Sequence, residues 1–156
     1  MDASVATTTS FVRDPGAGST LNVLGVTHIY KVTGAETAGA FSLWEDIVPP
    51  GAGAPPHTHA REDEAFYVLS GELLIEFEGE PAPRRVGPGG FFFGARHRRH
   101  GYRNVSDQPA RVLVLCAPSC GLDQMFAEID AAGMPEMAKV VAIAAKYGVT
   151  IEPPTA

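Results

Sequence analysis

Glycine and proline interrupt this chain too often for long helices to form. Seventeen glycines and thirteen prolines fall in 156 residues, and turn signals recur roughly every 8–12 residues, the rhythm of an antiparallel sandwich or barrel. Short alternating runs lie between them. Ala40–Val48 sets Phe41, Leu43, Glu45 and Ile47 against Ser42, Trp44 and Asp46. In Glu72–Glu78, Leu73, Ile75 and Phe77 alternate with Glu72, Leu74, Glu76 and Glu78. A period of two is that of a strand with one buried face. A coiled coil or long-helix bundle is excluded, and a mainly β domain is expected.

Further strands are expected over Leu21–Val32, Glu64–Ser70, Phe91–Phe93, His100–Val105 and Arg111–Cys116, with a hairpin around Gly71 and a rigid loop over Pro49–Pro56. After Pro118 the period changes. Leu122, Met125, Phe126 and Ile129 are spaced as one stripe of a helix. A second helix is expected from about Pro135 to Tyr147, ahead of Gly148. The organisation reads as an amino-terminal arm over 1–19, a β-barrel over 20–118 and a helical segment over 119–156 packed on the barrel. Periodicity leaves open whether the helices pack outside the barrel or cover its mouth.

Apolar residues make up 45% of the chain and charged residues 19%, the balance of a globular domain. A net charge of −6 makes nucleic acid an unsuitable partner. No run reaches the ~18 apolar residues of a membrane span, and MDASVATTTS lacks the basic and apolar parts of a secretory leader. Two cysteines, Cys116 and Cys120, do not make a disulfide framework. A cytoplasmic protein without membrane contact is expected. Charge is segregated: residues 84–103 carry six arginines and residues 62–80 seven acids. The two groups are expected to pair across the sheet or between subunits.

The chemistry concentrates in histidines. His57 and His59 are two apart, so on an extended chain both aim at one side. Glu64 follows five residues later, and His100 heads another strand. Three imidazoles and a carboxylate form a mixed nitrogen and oxygen shell suited to first-row transition metals. Asp63 has the wrong parity to join Glu64, and Glu62 has the right parity but a loop position; both are expected in solvent. His97 lies among arginines and is expected exposed, with an indirect proton-donor role as the alternative.

The whole spacing resembles a known family. Gly51, five residues, His57-x-His59, four residues, Glu64, six residues and Gly71 match the first motif of the cupins. Gly89, His100 and Asn104 stand at second-motif spacing, with Ala95 and His97 replacing its usual Pro and Gly. Pro-Pro-His-x-His, Glu64–Gly71 and Ala145–Val149 are similar to the small quercetinase-like members. The resemblance covers about residues 40–150. It implies a double-stranded β-helix, or jelly-roll barrel, with two carboxy-terminal helices, and a homodimer. It also implies His57, His59, Glu64 and His100 as ligands of one divalent metal, iron or manganese first, with nickel, cobalt, copper and zinc open.

For function the resemblance implies a dioxygenase acting on a small aromatic or enolisable substrate, with Glu64 as the catalytic base. The alternatives are a non-oxidative metal cupin (an isomerase, lyase or polyketide cyclase) and a small-molecule-binding module. Phe66, Phe91, Phe93, Tyr102, Met125 and Phe126 are the expected pocket residues, since aromatics suit a flat substrate; barrel packing is the competing use for them.

Overall fold

The computed structural model describes residues 8–152. The expected arm therefore lies partly outside the described residues, at 1–7. Eleven strands form two antiparallel sheets. The first contains β1 (Thr20–Val23), β2 (Val26–Val32), β3 (Ser42–Val48), β10 (Ala110–Ala117), β5 (Asp63–Ser70) and β8 (Phe91–Gly94), in that spatial order. The second contains β11 (Val149–Ile151), β4 (Gly53–His59), β9 (His100–Asn104), β6 (Leu73–Phe77) and β7 (Arg84–Val86). Helices α1 (Leu122–Ala131) and α2 (Met137–Lys146) follow β10. The chain is a double-stranded β-helix with two carboxy-terminal helices.

The alternation in the sequence becomes the wall of the barrel. Trp44, Val48, Phe66, Val68, Leu73, Ile75, Val112 and Val114 turn inward and are essentially without solvent contact. Cross-strand pairs Val114–Trp44 and Val114–Phe66 tie the central strands together. Burying such side chains stabilises the fold by about 1.5–3 kcal/mol each.

Three local expectations are corrected. Glu64–Ser70 and Leu73–Phe77 do not form a hairpin. β5 already has β10 and β8 on its two edges, so the chain crosses at Gly71 to the facing sheet, where β6 pairs with β9 and β7. Gly71 has φ +79°, and a Cβ there would lie 2.6 Å from that of Ala110. The proline loop is only partly a loop, because Gly53–His59 is strand β4; its pairing with β9 shifts register between Ala54 and His57, where Pro55 and Pro56 lack N–H groups. After α2, Val149–Ile151 adds a strand beside β4.

The opposite charges pair as expected. Arg98 meets Glu78 at 2.7 Å, Arg96 meets Asp63 at 2.8 Å, and Arg85 pairs with Glu72. Residues 11–19 carry no strand or helix; Arg13 anchors them by donating to the Lys31 carbonyl at 2.7 Å.

Candidate metal centre

His57 and His59 end β4, His100 opens β9 and Glu64 lies at the start of β5. Each sits on the inward parity of its strand, and all four are buried. Their ligand atoms lie within 4.8 Å of one another. Glu64 Oε2 is 3.0 Å from Nε2 of His100, 3.2 Å from that of His59 and 3.5 Å from that of His57. The strands converge because Gly94 on β8 stands against the His100 ring; a Cβ there would approach within 2.8 Å of Cε1.

The other ring nitrogens fix the tautomers. His57 Nδ1 donates to the Pro55 carbonyl at 2.8 Å, and His100 Nδ1 donates to that of Arg98 at 3.1 Å. A carbonyl only accepts, so the proton is on Nδ1 and Nε2 presents its lone pair to the centre. His59 Nδ1 donates to Glu62 Oε1 at 2.6 Å. Three lone pairs and a carboxylate thus share one small space, and only a proton or a cation reconciles them. This donor set fits a transition metal, with the orienting hydrogen bonds that metal-bound imidazoles use.

The ionisation pattern agrees. Burial opposes charge on His59, but the Glu64 and Glu62 carboxylates outweigh it and hold the ring up at about 9. Burial pushes His57 down, against the pull of Glu64. Burial would raise Glu64, yet the charge on His59 and the imidazole contacts hold it well below the usual carboxylate range. The added proton on His59 is one that a metal ion would displace.

A cavity opens beside these residues and, counting the part in contact with solvent, holds about 660 Å³. Phe66, Tyr102, Met125 and Phe126 line it, as expected. Ile129 of α1 and Val140 of α2 also line it, so the helices close one flank. Phe91 and Phe93 do not belong to it. They share a face with each other, but it is the outer one, where they are 62% and 57% exposed; Phe92 between them packs inward against Phe66.

Several residues of the site were not anticipated. Glu62 is fully buried against His59, not solvated. The parity that it shares with Glu64 was the signal for this. His28 and Asp46 also line the cavity, with His28 Nε2 3.4 Å from Asp46 Oδ1. The Tyr102 hydroxyl donates to Asp46 Oδ2 at 2.9 Å. Burial pushes the Asp46 carboxyl up to about 8 and holds His28 down at about 4. His97 is exposed, as expected; its backbone N–H donates to the His59 carbonyl at 2.7 Å. Cys116 is buried, and neither it nor Cys120 is bridged. Asn104, the buried last residue of β9, ties the strand end to its surroundings: its side-chain amide donates to the Val48 and Gln108 carbonyls, both at 2.8 Å.

Residues 44–116 match the family model described as "Cupin domain". Among curated proteins, the polyketide synthase CurC of Streptomyces cyaneus is 33% identical over 92 residues, covering 59% of this chain and 57% of CurC. The probable germin-like protein subfamily 2 member 5 of Arabidopsis thaliana is 31% identical over 98 residues, covering 61% of this chain and 46% of that protein. The chain spans about half the length of the curated relatives it matches. Among solved structures, the polyketide cyclase RemF from Streptomyces resistomycificus superposes with a TM-score of 0.61 at 24% identity, covering 71% of this chain and 81% of RemF. That likeness is one of fold.

Proposed function

The chain is a cupin, and on that premise we propose that it is a metal-dependent enzyme that enolises a small aromatic or 1,3-dicarbonyl substrate of polyketide type. The observation that carries this reading is the placement of Glu64. One carboxylate oxygen lies 3.0–3.5 Å from three imidazoles at the edge of a mostly apolar cavity. Such a site holds a general base out of water and next to a cation.

His57, His59, Glu64 and His100 would hold the ion, with iron or manganese as the expected metals. When bound, the ion supplies Lewis acidity that makes a carbonyl's α-proton easier to remove. Glu64 takes that proton at Oε2. His57, His59 and His100 stay in place through their Nδ1 hydrogen bonds. Phe66, Met125 and Phe126 keep water from the ring of the substrate. Identity to a polyketide synthase supports a substrate that enolises.

Enolisation opens two outcomes. The non-oxidative one, a cyclase, isomerase or lyase, is the first reading, supported by the identity to a polyketide synthase. A quercetinase-like dioxygenase is the second reading, favoured by the resemblance of Pro-Pro-His-x-His and Glu64–Gly71 to that group. The test is hydrogen–deuterium exchange at the acidic carbon of 1,3-diketones, with oxygen uptake followed in parallel on flavonols and catechols. Exchange without oxygen uptake supports the first outcome, and uptake supports the second. Tight binding without exchange or turnover means a binding module and overturns the enzyme reading.

We further propose a homodimer. Tyr67, Leu69, Phe91 and Phe93 form an exposed apolar patch on β5 and β8, and β8 is an edge strand. A patch of this kind at a sheet edge suits a second copy of the chain.

A further inference from the structure

The polar residues of the cavity wall outside the metal centre are engaged with one another. Asp46 accepts from the Tyr102 hydroxyl at 2.9 Å, faces His28 Nε2 at 3.4 Å and is hydrogen-bonded by Trp44. The lining beyond them is aliphatic: Val23, Leu24 and Val26 come from the β1–β2 hairpin, Met125 and Ile129 from α1, and Val140 from α2. None of these side chains offers a strong hydrogen bond. A ligand group lodged among them has to be apolar, because a polar one would give up its water and find no replacement.

The hairpin turn adds an independent observation. Val23 pairs with Val26, so Leu24 and Gly25 alone make the turn. Both have positive φ, +54° and +86°. Asn-Gly suits such a turn, whereas a leucine in it crowds its Cβ against the following carbonyl oxygen. A residue held in that conformation points to a use for its side chain. Leu24 is half-buried, packs against the core and lines the same cavity as His57, His59 and Glu64. The hairpin is also fastened to α1, since the Asn22 N–H donates to Asp130 Oδ1 at 2.8 Å. The turn thus gives up a relaxed backbone and gains an aliphatic side chain at the cavity.

We propose that the side of the cavity formed by the β1–β2 hairpin and the two helices receives an alkyl chain of the substrate, whose oxygen-bearing head lies at the metal centre, and that Leu24 is a specificity-determining residue for that chain. This rests on the metal-dependent enzyme reading above and narrows its substrate class to molecules that carry such a chain. An alkyl chain needs no hydrogen-bond partner, and each methylene that leaves water adds to affinity. The cavity is one continuous space from His57, His59 and Glu64 to Leu24 and Val140, so one molecule can occupy both parts.

The probes are straight-chain alkanohydroxamates, from acetohydroxamate to decanohydroxamate, titrated by calorimetry into metal-loaded protein; the hydroxamate head chelates a metal ion whatever its tail. Affinity is expected to rise about three- to fourfold for each added methylene until the chain fills the space, and then to level off. Leu24→Asn relieves the turn, so Tm should hold or rise, while the gain in affinity from acetohydroxamate to octanohydroxamate should shrink about fivefold or more. Val140→Ala enlarges the space, so the levelling should come at a longer chain. Affinity independent of chain length in the wild type overturns the alkyl chain alone. A gain and a levelling point that neither variant changes overturn its placement against Leu24 and Val140. Failure of every hydroxamate to bind, acetohydroxamate included, overturns the metal centre, and this proposal with it.

Discussion

Glu62 Oε1 lies 2.6 Å from Nδ1 of His59, on the side of the ring opposite Glu64. The imidazole is thereby held between two carboxylates, one that orients it and one that would share the metal with it. An outer hydrogen bond of this kind fixes the tautomer and raises the basicity of the ligand nitrogen.

Removing that orienting group should weaken metal binding without removing a ligand. Glu62→Ala is expected to lower metal affinity by about 10–100-fold, and Glu62→Gln, which still accepts a hydrogen bond, by less. Competition with a chromogenic chelator measures both. Unchanged affinity in Glu62→Ala would show that His59 needs no orientation from Glu62.

The ligand set itself was legible because family spacing and strand parity point the same way for His57, His59, Glu64 and His100. For Glu62 the two signals conflict: its loop position points to solvent and its parity to the interior, and the interior wins. A buried carboxylate needs a partner, and that partner, His59, becomes visible only when the chain turns back at residues 60–62. Phe91 and Phe93 show the converse limit. Alternation says that two residues share a face but not which face, and only the pairing of β8 with β5 settles that Phe92 points in. His28 carried no signal of its own; its role arises from the pairing of β2 with β3. The crossover at Gly71 was hidden for the same reason, since a hairpin and a sheet-to-sheet corner need similar turn residues and differ in distant partners. The helices were legible because their apolar stripes are local.

Glu64 is expected to matter more for turnover than for metal retention. In Glu64→Gln the three imidazoles remain, so metal content should fall modestly, whereas the loss of a positioned base should lower turnover by about 10²–10⁴-fold. Metal and rate are measured on the same preparation. Unchanged activity per bound ion would exclude Glu64 as the base.

Stability of the metal-free protein should depend on pH through Asp46 and His28. The folded protein holds Asp46 at about 8 against an ordinary 3.8, so its contribution is full below about pH 4 and lost as pH rises through 8. His28, lowered from 6.5 to about 4, acts oppositely: its contribution is full above 6.5 and lost as pH falls through 4. Between pH 6.5 and 8 that opposition is gone, and the fall comes from Asp46 together with His59, which is held up at about 9 and loses its contribution as pH rises from 6.5 to 9. Asp46→Asn should lessen the fall of Tm over that window, by about 2–4 °C for each kcal/mol of relieved charge burial, and leave the part that His59 sets. A fall as steep as in the wild type would place Asp46's titration elsewhere.

Light scattering should find two copies of the chain per particle. Phe91→Asp combined with Phe93→Asp puts charge on the exposed patch and should give a monomer with an unchanged circular dichroism spectrum. A monomeric wild type would contradict the proposed dimer.

Metal content of the purified protein tests the central claim most directly. Elemental analysis should find close to one transition-metal ion per chain in the wild type and essentially none in the His57→Ala, His100→Ala double variant, with its fold verified by circular dichroism. Undiminished occupancy in a folded double variant would contradict the assignment of His57, His59, Glu64 and His100 as the metal centre.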